Sequence, residues 1–252
     1  MQRQPLHGGD LSTIDRLDLA DGRVVALKTG PNVEIEARML RTLAQAGIPV
    51  PEVLAVQGKG LVLEFLPDSH ASDQHWSLAG QTLRRLHDVR GSAYGWEEDY
   101  WLGKVLVAGG FYAGWVDYWY ETRLAAKLSA LPRDIAARIE ALQPKLPGLI
   151  PDTPPASLLH GDLWQGNLIF GPERTVHFID PACAYGHGEV DLAMLHLFGR
   201  AGQAFDEGYG PLEPGWQDRR PVYQLWPALV HLRLFGASYR AMVERLLDSL
   251  GV

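Results

Sequence analysis

The 252-residue chain carries a net charge of −7 and a single cysteine, Cys183. The acidic balance excludes sequence-independent attraction to nucleic acid or an anionic membrane, and one thiol excludes an intrachain disulfide and fits a reducing compartment. Neither the first residues, Met1-Gln2-Arg3-Gln4-Pro5-Leu6, nor any later stretch has the apolar run of a signal peptide or a membrane span. A cytoplasmic globular protein is expected, long enough for one large domain or two lobes.

Residues 6–66 read as a small strand-rich lobe with one helix. Gly8-Gly9-Asp10-Leu11 is a candidate tight turn whose backbone N–H groups could face phosphates, because glycine lets the chain approach an anion closely. Two strands around the Asp21-Gly22 hairpin signal end in Val24-Val25-Ala26-Leu27-Lys28, apolar up to one lysine. A helix follows from about Asn32 to Ala46, closed by Gly47 and Pro49. At about 100° per residue, Ala37, Leu40, Leu43 and Ala44 form one stripe; Glu36 falls inside it and Glu34 lies on the outer face. A carboxylate within an apolar stripe needs a partner, and Lys28 is the natural one; the alternative is a Glu at the stripe's edge reaching for water. A second hairpin runs through Val53-Leu54-Ala55-Val56, turns at Gly58-Lys59-Gly60 and returns as Leu61 to Leu66. Pro67-Asp68-Ser69 is the connector, which puts the expected lobes at 1–66 and 67–252.

The remainder is expected to be mainly helical. Trp76, Ala79, Leu83, Leu86 and His87 make one helix face. An aromatic helix runs from Phe111 to Leu131, a shorter one carries Ile135, Ile139 and Leu142, and a proline-rich crossing spans Pro144 to Pro155. That crossing delivers the chain to His160-Gly161-Asp162-Leu163-Trp164-Gln165-Gly166-Asn167, followed by the strand Leu168-Ile169-Phe170, a hairpin at Gly171-Pro172-Glu173-Arg174, and a return strand that releases Asp180. Phosphoryl transfer asks a protein chiefly for positioning and charge neutralisation. Asp162 is the candidate base for an acceptor hydroxyl, and Asn167 and Asp180 offer the hard oxygens that Mg²⁺ prefers. A lone Asp or Asn in a loop is an ordinary turn former; three at this spacing, with Lys28 and Glu36 upstream, follow a kinase pattern.

Val-Ala-Leu-Lys is similar to the lysine strand of kinases, which implies that Lys28 meets the α- and β-phosphates of ATP and that Glu36 positions it. By position, Glu64, Phe65 and Leu66 would form the hinge whose backbone bonds adenine. Protein kinases differ in two respects: Arg is absent after His160, and Pro181-Ala182 follows Asp180. Only about ten residues separate Asp180 from the next helix, expected over Glu189 to Phe198. A phosphorylatable activation loop does not fit there, so the acceptor is expected to be a small molecule or a modified side chain.

The His160–Asn167 run, the Asp180-Pro181-Ala182-Cys183-Ala184-Tyr185-Gly186-His187-Gly188-Glu189-Val190-Asp191-Leu192-Ala193-Met194 run and Leu197-Phe198-Gly199 resemble the fructosamine kinase (ketosamine-3-kinase) family. Further matches are Val62 to Leu66, Leu83 to His87, Trp101-Leu102-Gly103, Glu121-Thr122-Arg123-Leu124 and His231 to Gly236, so the resemblance spans nearly the whole chain. That family belongs to the aminoglycoside-phosphotransferase group. The resemblance implies an α+β, protein-kinase-like two-lobe fold, with a small antiparallel-sheet N-lobe and a larger, mainly helical C-lobe. It also implies ATP and Mg²⁺ as cofactors and a ketosamine, free or protein-bound, as the acceptor at its 3-hydroxyl. Asp162 would be the base, Asn167 and Asp180 the metal ligands, and Lys28 with Glu36 the phosphate-positioning pair. Trp164 could wall the sugar pocket or pack below it; His160 and Asp191 would support the loop. Two other readings stand: a phosphotransferase for an aminoglycoside- or choline-like alcohol, and a non-catalytic nucleotide-binding scaffold, against which the full set of five polar residues argues.

Overall fold

A computed structural model describes residues 2–6, 12–199 and 201–252. Five strands and a helix come first: β1 (Gln2–Pro5), β2 (Thr13–Asp18), β3 (Val24–Thr29), α1 (Val33–Gln45), β4 (Val53–Gln57) and β5 (Gly60–Glu64). Then come α2 (Asp73–Asp88), β6 (Tyr94–Trp96), β7 (Tyr100–Leu102), β8 (Val105–Val107), β9 (Gly110–Tyr112), α3 (Trp115–Trp119), α4 (Arg133–Leu142) and α5 (Leu146–Leu149). The chain continues through β10 (Ser157–Leu159), β11 (Leu168–Gly171), β12 (Thr175–Phe178), β13 (Ala184–Gly186), α6 (Glu189–Leu195), α7 (Gln203–Tyr209), α8 (Trp216–Phe235) and α9 (Arg240–Ser249).

Contacts group these elements into two units. The first takes Met1–Leu86, Asp162–Ala182 and Ala201–Gly210; the second takes His87–Gly161, Cys183–Arg200 and Pro211–Val252. The boundary that the connector suggested after Leu66 therefore lies inside the first unit. Long-range bonds with no local sequence signal explain the difference. Phe178 N donates to Pro49 O at 2.9 Å, Ser69 donates from N and Oγ to Phe170 O at 2.7 and 2.6 Å, and His75 Nε2 lies 3.0 Å from Gly171 O. These tie the β11–β12 hairpin to the first unit. The α7 helix joins it by close approach to α2: a Cβ on Gly80 would sit 2.4 Å from Phe205 O, so only glycine admits the contact. The Arg84 guanidinium lies 4.0 Å from the Tyr209 ring centre.

In the first unit the sheet order is β1-β2-β3-β5-β4, antiparallel throughout. The β2–β3 and β4–β5 hairpins form where their turn residues direct. Strand β1 is additional: its Gln-Arg-Gln-Pro sequence is exposed along its length and shows no apolar alternation to read. It extends the sheet edge, with Arg3 Nη2 2.6 Å from Asp15 Oδ2. Helix α1 buries Val33, Ala37, Met39, Leu40 and Leu43, whereas Ala44, in its last turn, is exposed; Met39, beyond the opposite edge of the stripe from Ala44, is buried in addition. Ala26, Leu61 and Leu63 of the sheet close over Val33, Ala37 and Leu40 to form the core.

The second unit contains more strand than its sequence suggests: a four-stranded sheet, β10-β13-β6-β9, and the β7–β8 pair. Strands of three residues are too short to display period-2 patterning. Phe111 lies in β9, so the aromatic helix starts at Trp115, not Phe111, and passes into a π-helical turn over Tyr120–Leu124. Trp115, Tyr118 and Trp119 are fully buried, and the two indoles meet Tyr223 of α8, with Trp119 and Tyr223 edge to face at 5.1 Å. The helix after Asp180 ends at Leu195, shorter than the expected span to Phe198.

Helix α6 places Asp191, fully buried, against the end of β10. Its Oδ2 accepts from His160 N and its Oδ1 from Gly161 N, both at 2.8 Å, and His87 Nε2 lies 3.1 Å from Oδ2. Gly161 supplies the positive φ of 82° that turns both amides onto one carboxylate. Burial alone would raise the Asp191 pKa; the His87 hydrogen bond, the His87 and His160 charges and the Gly161 N–H outweigh it and hold the carboxyl below its usual range. A depressed pKa contributes stability above the unfolded-state value and loses it as pH falls through the folded one. Asp191→Asn should therefore cost about 2–4 kcal/mol in urea melts at neutral pH, with the deficit shrinking below about pH 4. An equal deficit at pH 3 and pH 7 would refute the charged brace.

Candidate active site

Alternation along β3 sets the site. Lys28 shares the Ala26 face, which packs on α1, and so arrives buried beneath the helix. Glu36, one position before Ala37 on the same side of α1, receives it: Nζ is 2.8 Å from Oε1 and 2.8 Å from Oε2. Glu34 is exposed, as its place on the outer face requires. The same ammonium is 2.8 Å from Asp180 Oδ1, a residue 152 positions away. Burial alone would lower the Lys28 pKa, but the charges of Asp180 and Glu36 hold it above its ordinary value, so the amine stays an ammonium.

The β11–β12 register brings the second half of the site together. Leu168 pairs with Phe178, and Ile179 N donates to Asn167 O at 3.0 Å, so Asn167 and Asp180 emerge at the same open end of the hairpin. Asn167 is buried and donates from Nδ2 to Asp162 O at 2.7 Å and to Asp162 Oδ2 at 3.1 Å. That commits the amide nitrogen to the loop and leaves Oδ1 as its acceptor. Asp180 is about one-third exposed and has φ of 55°, an uncommon conformation for any residue but glycine. Two hard oxygen donors on one hairpin end, one charged and partly open, have the chemistry of a Mg²⁺ site.

Trp164 is exposed, and its indole folds back over its own loop: a Cβ on Gly166 would lie 2.2 Å from the ring. Gly166 thus permits the ring's present position. At the expected hinge, Glu64 N donates to Glu52 O at 2.9 Å and Glu64 Oε2 accepts from Glu52 N at 3.2 Å, which commits that amide to the sheet edge. Phe65 packs against the core and lies under the Arg16 guanidinium, and Leu66 is half-buried. Gly8 and Gly9 lie outside the described residues. Asp68 is an addition that sequence reading took only as part of a connector: its Oδ1 accepts from Phe170 N at 3.3 Å, helping to hold the strand that carries Asn167. Among the described residues, no helix is long and apolar enough to cross a membrane.

The family model for fructosamine kinase matches residues 1–251. The probable ketoamine kinase of Enterococcus faecium is 32% identical over 264 aligned residues, covering 97% of this chain and 94% of its relative. A crystal structure from Thermobifida fusca, assigned as a fructosamine-3-kinase, superposes with a TM-score of 0.89 at 29% identity, covering 99% of this chain and 93% of the other. Amicoumacin kinase, at 19% identity and a TM-score of 0.63 over 99% of this chain and 87% of its own, shares the fold. The fold is accordingly the α+β fold of kinase-like phosphotransferases, with an antiparallel sheet at its N-terminal end and helices predominating later. The chain belongs to the fructosamine kinase family, and with it to the ATP-dependent phosphotransferases.

Proposed function

We propose that this protein transfers the γ-phosphoryl group of ATP to the 3-hydroxyl of a ketosamine of the fructosamine or ribulosamine type. The arrangement that carries the reading is the double tie of Lys28 to Glu36 and Asp180, with Asn167 holding Asp162 on the same unit. Asp162 accepts the proton of the attacking hydroxyl as its oxygen bonds to phosphorus and the bond to ADP breaks. Asn167, bonded to both the backbone and the carboxylate of Asp162, fixes the base in the loop. Lys28, charged and anchored by Glu36, positions the α- and β-phosphates. Asn167 Oδ1 and the Asp180 carboxylate would hold Mg²⁺, which supplies neutralisation of phosphate charge. Glu64, Phe65 and Leu66 supply the adenine hinge through the backbone beyond the Glu64 amide, and exposed Trp164 offers a flat wall to the sugar. A phosphate installed beside the ketosamine carbonyl makes the adduct labile, so the reaction would release the amine and reverse glycation.

A substrate panel with Mg-ATP tests the acceptor. ADP release with ribulose- or fructose-lysine, and none with aminoglycosides or choline, is the expected result; turnover on an aminoglycoside alone would transfer the protein to a different acceptor class. Asp162→Ala should lower kcat by ~10²–10⁴-fold while nucleotide affinity stays within a few-fold of wild type. Unchanged turnover would remove Asp162 as the base. Lys28→Met should both raise KM for ATP and lower kcat, because it removes the phosphate contact and leaves Glu36 and Asp180 without their shared cation. An effect on thermal stability alone would assign the lysine to packing.

A further inference from the structure

Away from the residues used above, the second unit gathers His187, Glu189 and Glu213, whose candidate ligand atoms all lie within 4.8 Å of one another. We propose that these three side chains form a binding site for a divalent cation of the Zn²⁺ class.

The observation that points to a ligand is His187. The ring is almost wholly buried, yet Nε2 has no hydrogen-bond partner among the described residues. A buried polar nitrogen left unpaired is costly, so its persistence calls for a function. The opposite nitrogen, Nδ1, is 2.8 Å from Tyr223 Oη, which also receives Trp115 Nε1 at 3.1 Å. When Nδ1–H donates to that phenol, Nε2 turns a lone pair outward, in the way a metal-bound imidazole is held by a partner on its far side.

The carboxylates are placed to complete the site. Glu213 Oε2 is 3.8 Å from Nε2. Ligands about 2.0–2.1 Å from a tetrahedral Zn²⁺ lie roughly 3.3 Å apart, so the exposed Glu213 side chain needs to close by only about half an ångström. Glu189 is buried and fixed by Arg219, whose Nε is 2.7 Å from Oε2 and whose Nη2 is 2.5 Å from Oε1. Arg219 thereby cancels one of the two negative charges; both Glu189 oxygens already accept from it and Oε2 stands 3.8 Å from His187 Nδ1, so Glu189 joins the site only by sharing an oxygen. The site thus presents two uncommitted donors and one shared donor, which favours micromolar affinity over that of a closed structural zinc centre. A nitrogen donor beside carboxylates selects a borderline cation over Mg²⁺, which takes oxygen ligands.

The test uses the full chain stripped with EDTA and titrated with Co²⁺ in excess Mg²⁺ without nucleotide, so that all-oxygen sites are already filled. One equivalent of Co²⁺ should produce the intense visible absorption of a low-coordinate nitrogen–oxygen site, and Zn²⁺ should abolish it. Glu213→Gln, exposed and outside any core, should weaken Co²⁺ binding ~10-fold or more, and His187→Gln should abolish the band. No intense band in the wild type, or one that persists unchanged in Glu213→Gln, overturns the proposal.

Discussion

The site depends on one ammonium shared by two carboxylates. Lys28 stands on the third strand of the chain, Glu36 on the helix that follows it, and Asp180 at the end of a hairpin more than a hundred residues later, and a single Nζ lies 2.8 Å from each. A buried charge is tolerated only when paired, so the lysine fixes the register between the α1–β3 pair and the β11–β12 hairpin as well as supplying a positive charge. The backbone bonds from Pro49 and Ser69 to the hairpin serve the same end. Together they make residues 162–182 part of the first unit, although the sequence places them far downstream.

What could be read from the sequence follows the range of the forces involved. Helix periodicity sorted Glu36 from Glu34 and left Lys28, at the end of its apolar strand, as the natural partner; the pattern is local, and the Lys28–Glu36 pair formed as it implies. The D-x-x-x-x-N spacing pointed to an amide oxygen offered to a metal; the bond from Asn167 Nδ2 to Asp162 was no part of that reading. The contact between Lys28 and Asp180 was not legible, since no local pattern links residues so far apart. Strands β6 to β9 escaped because three residues carry no period, and β1 because its side chains are all polar and exposed. Ala44 misled the helix stripe because its angle is right but its place, in the last turn, lies outside the buried face.

Rigidity is distributed unevenly around the loop that carries Asp162. On its entry side, Asp191 clamps the amides of His160 and Gly161, and His87 clamps Asp191 in turn, so the backbone there is held by charge-assisted bonds in a buried setting. On its exit side, Asn167 and Ile179 lock the loop to the hairpin. Between these anchors stands Trp164, exposed and resting on Gly166, with no side chain beneath it to fix the ring. Fixed ends with one exposed aromatic between them would suit the roles proposed for Asp162 as base and Trp164 as a wall for the sugar.

Charge balance supports the proposal that a metal would accompany the nucleotide at this site. By formal count Lys28 contributes one positive charge and Glu36, Asp162 and Asp180 three negative charges, so the set stands at −2 before any phosphate arrives. The chain as a whole adds to that sign, at −7. A nucleotide triphosphate brought alone to these carboxylates would be repelled, and the ammonium, already shared by two of them, cannot offset both. A divalent ion at the proposed Asn167 and Asp180 site would neutralise that charge. It would also compete with the lysine for the Asp180 carboxylate, leaving more of the ammonium's charge for phosphate. The positive φ of Asp180 fits that role, because a strained backbone at a switchable ligand is retained only where the surrounding bonds impose it, and here the hairpin and Lys28 both do.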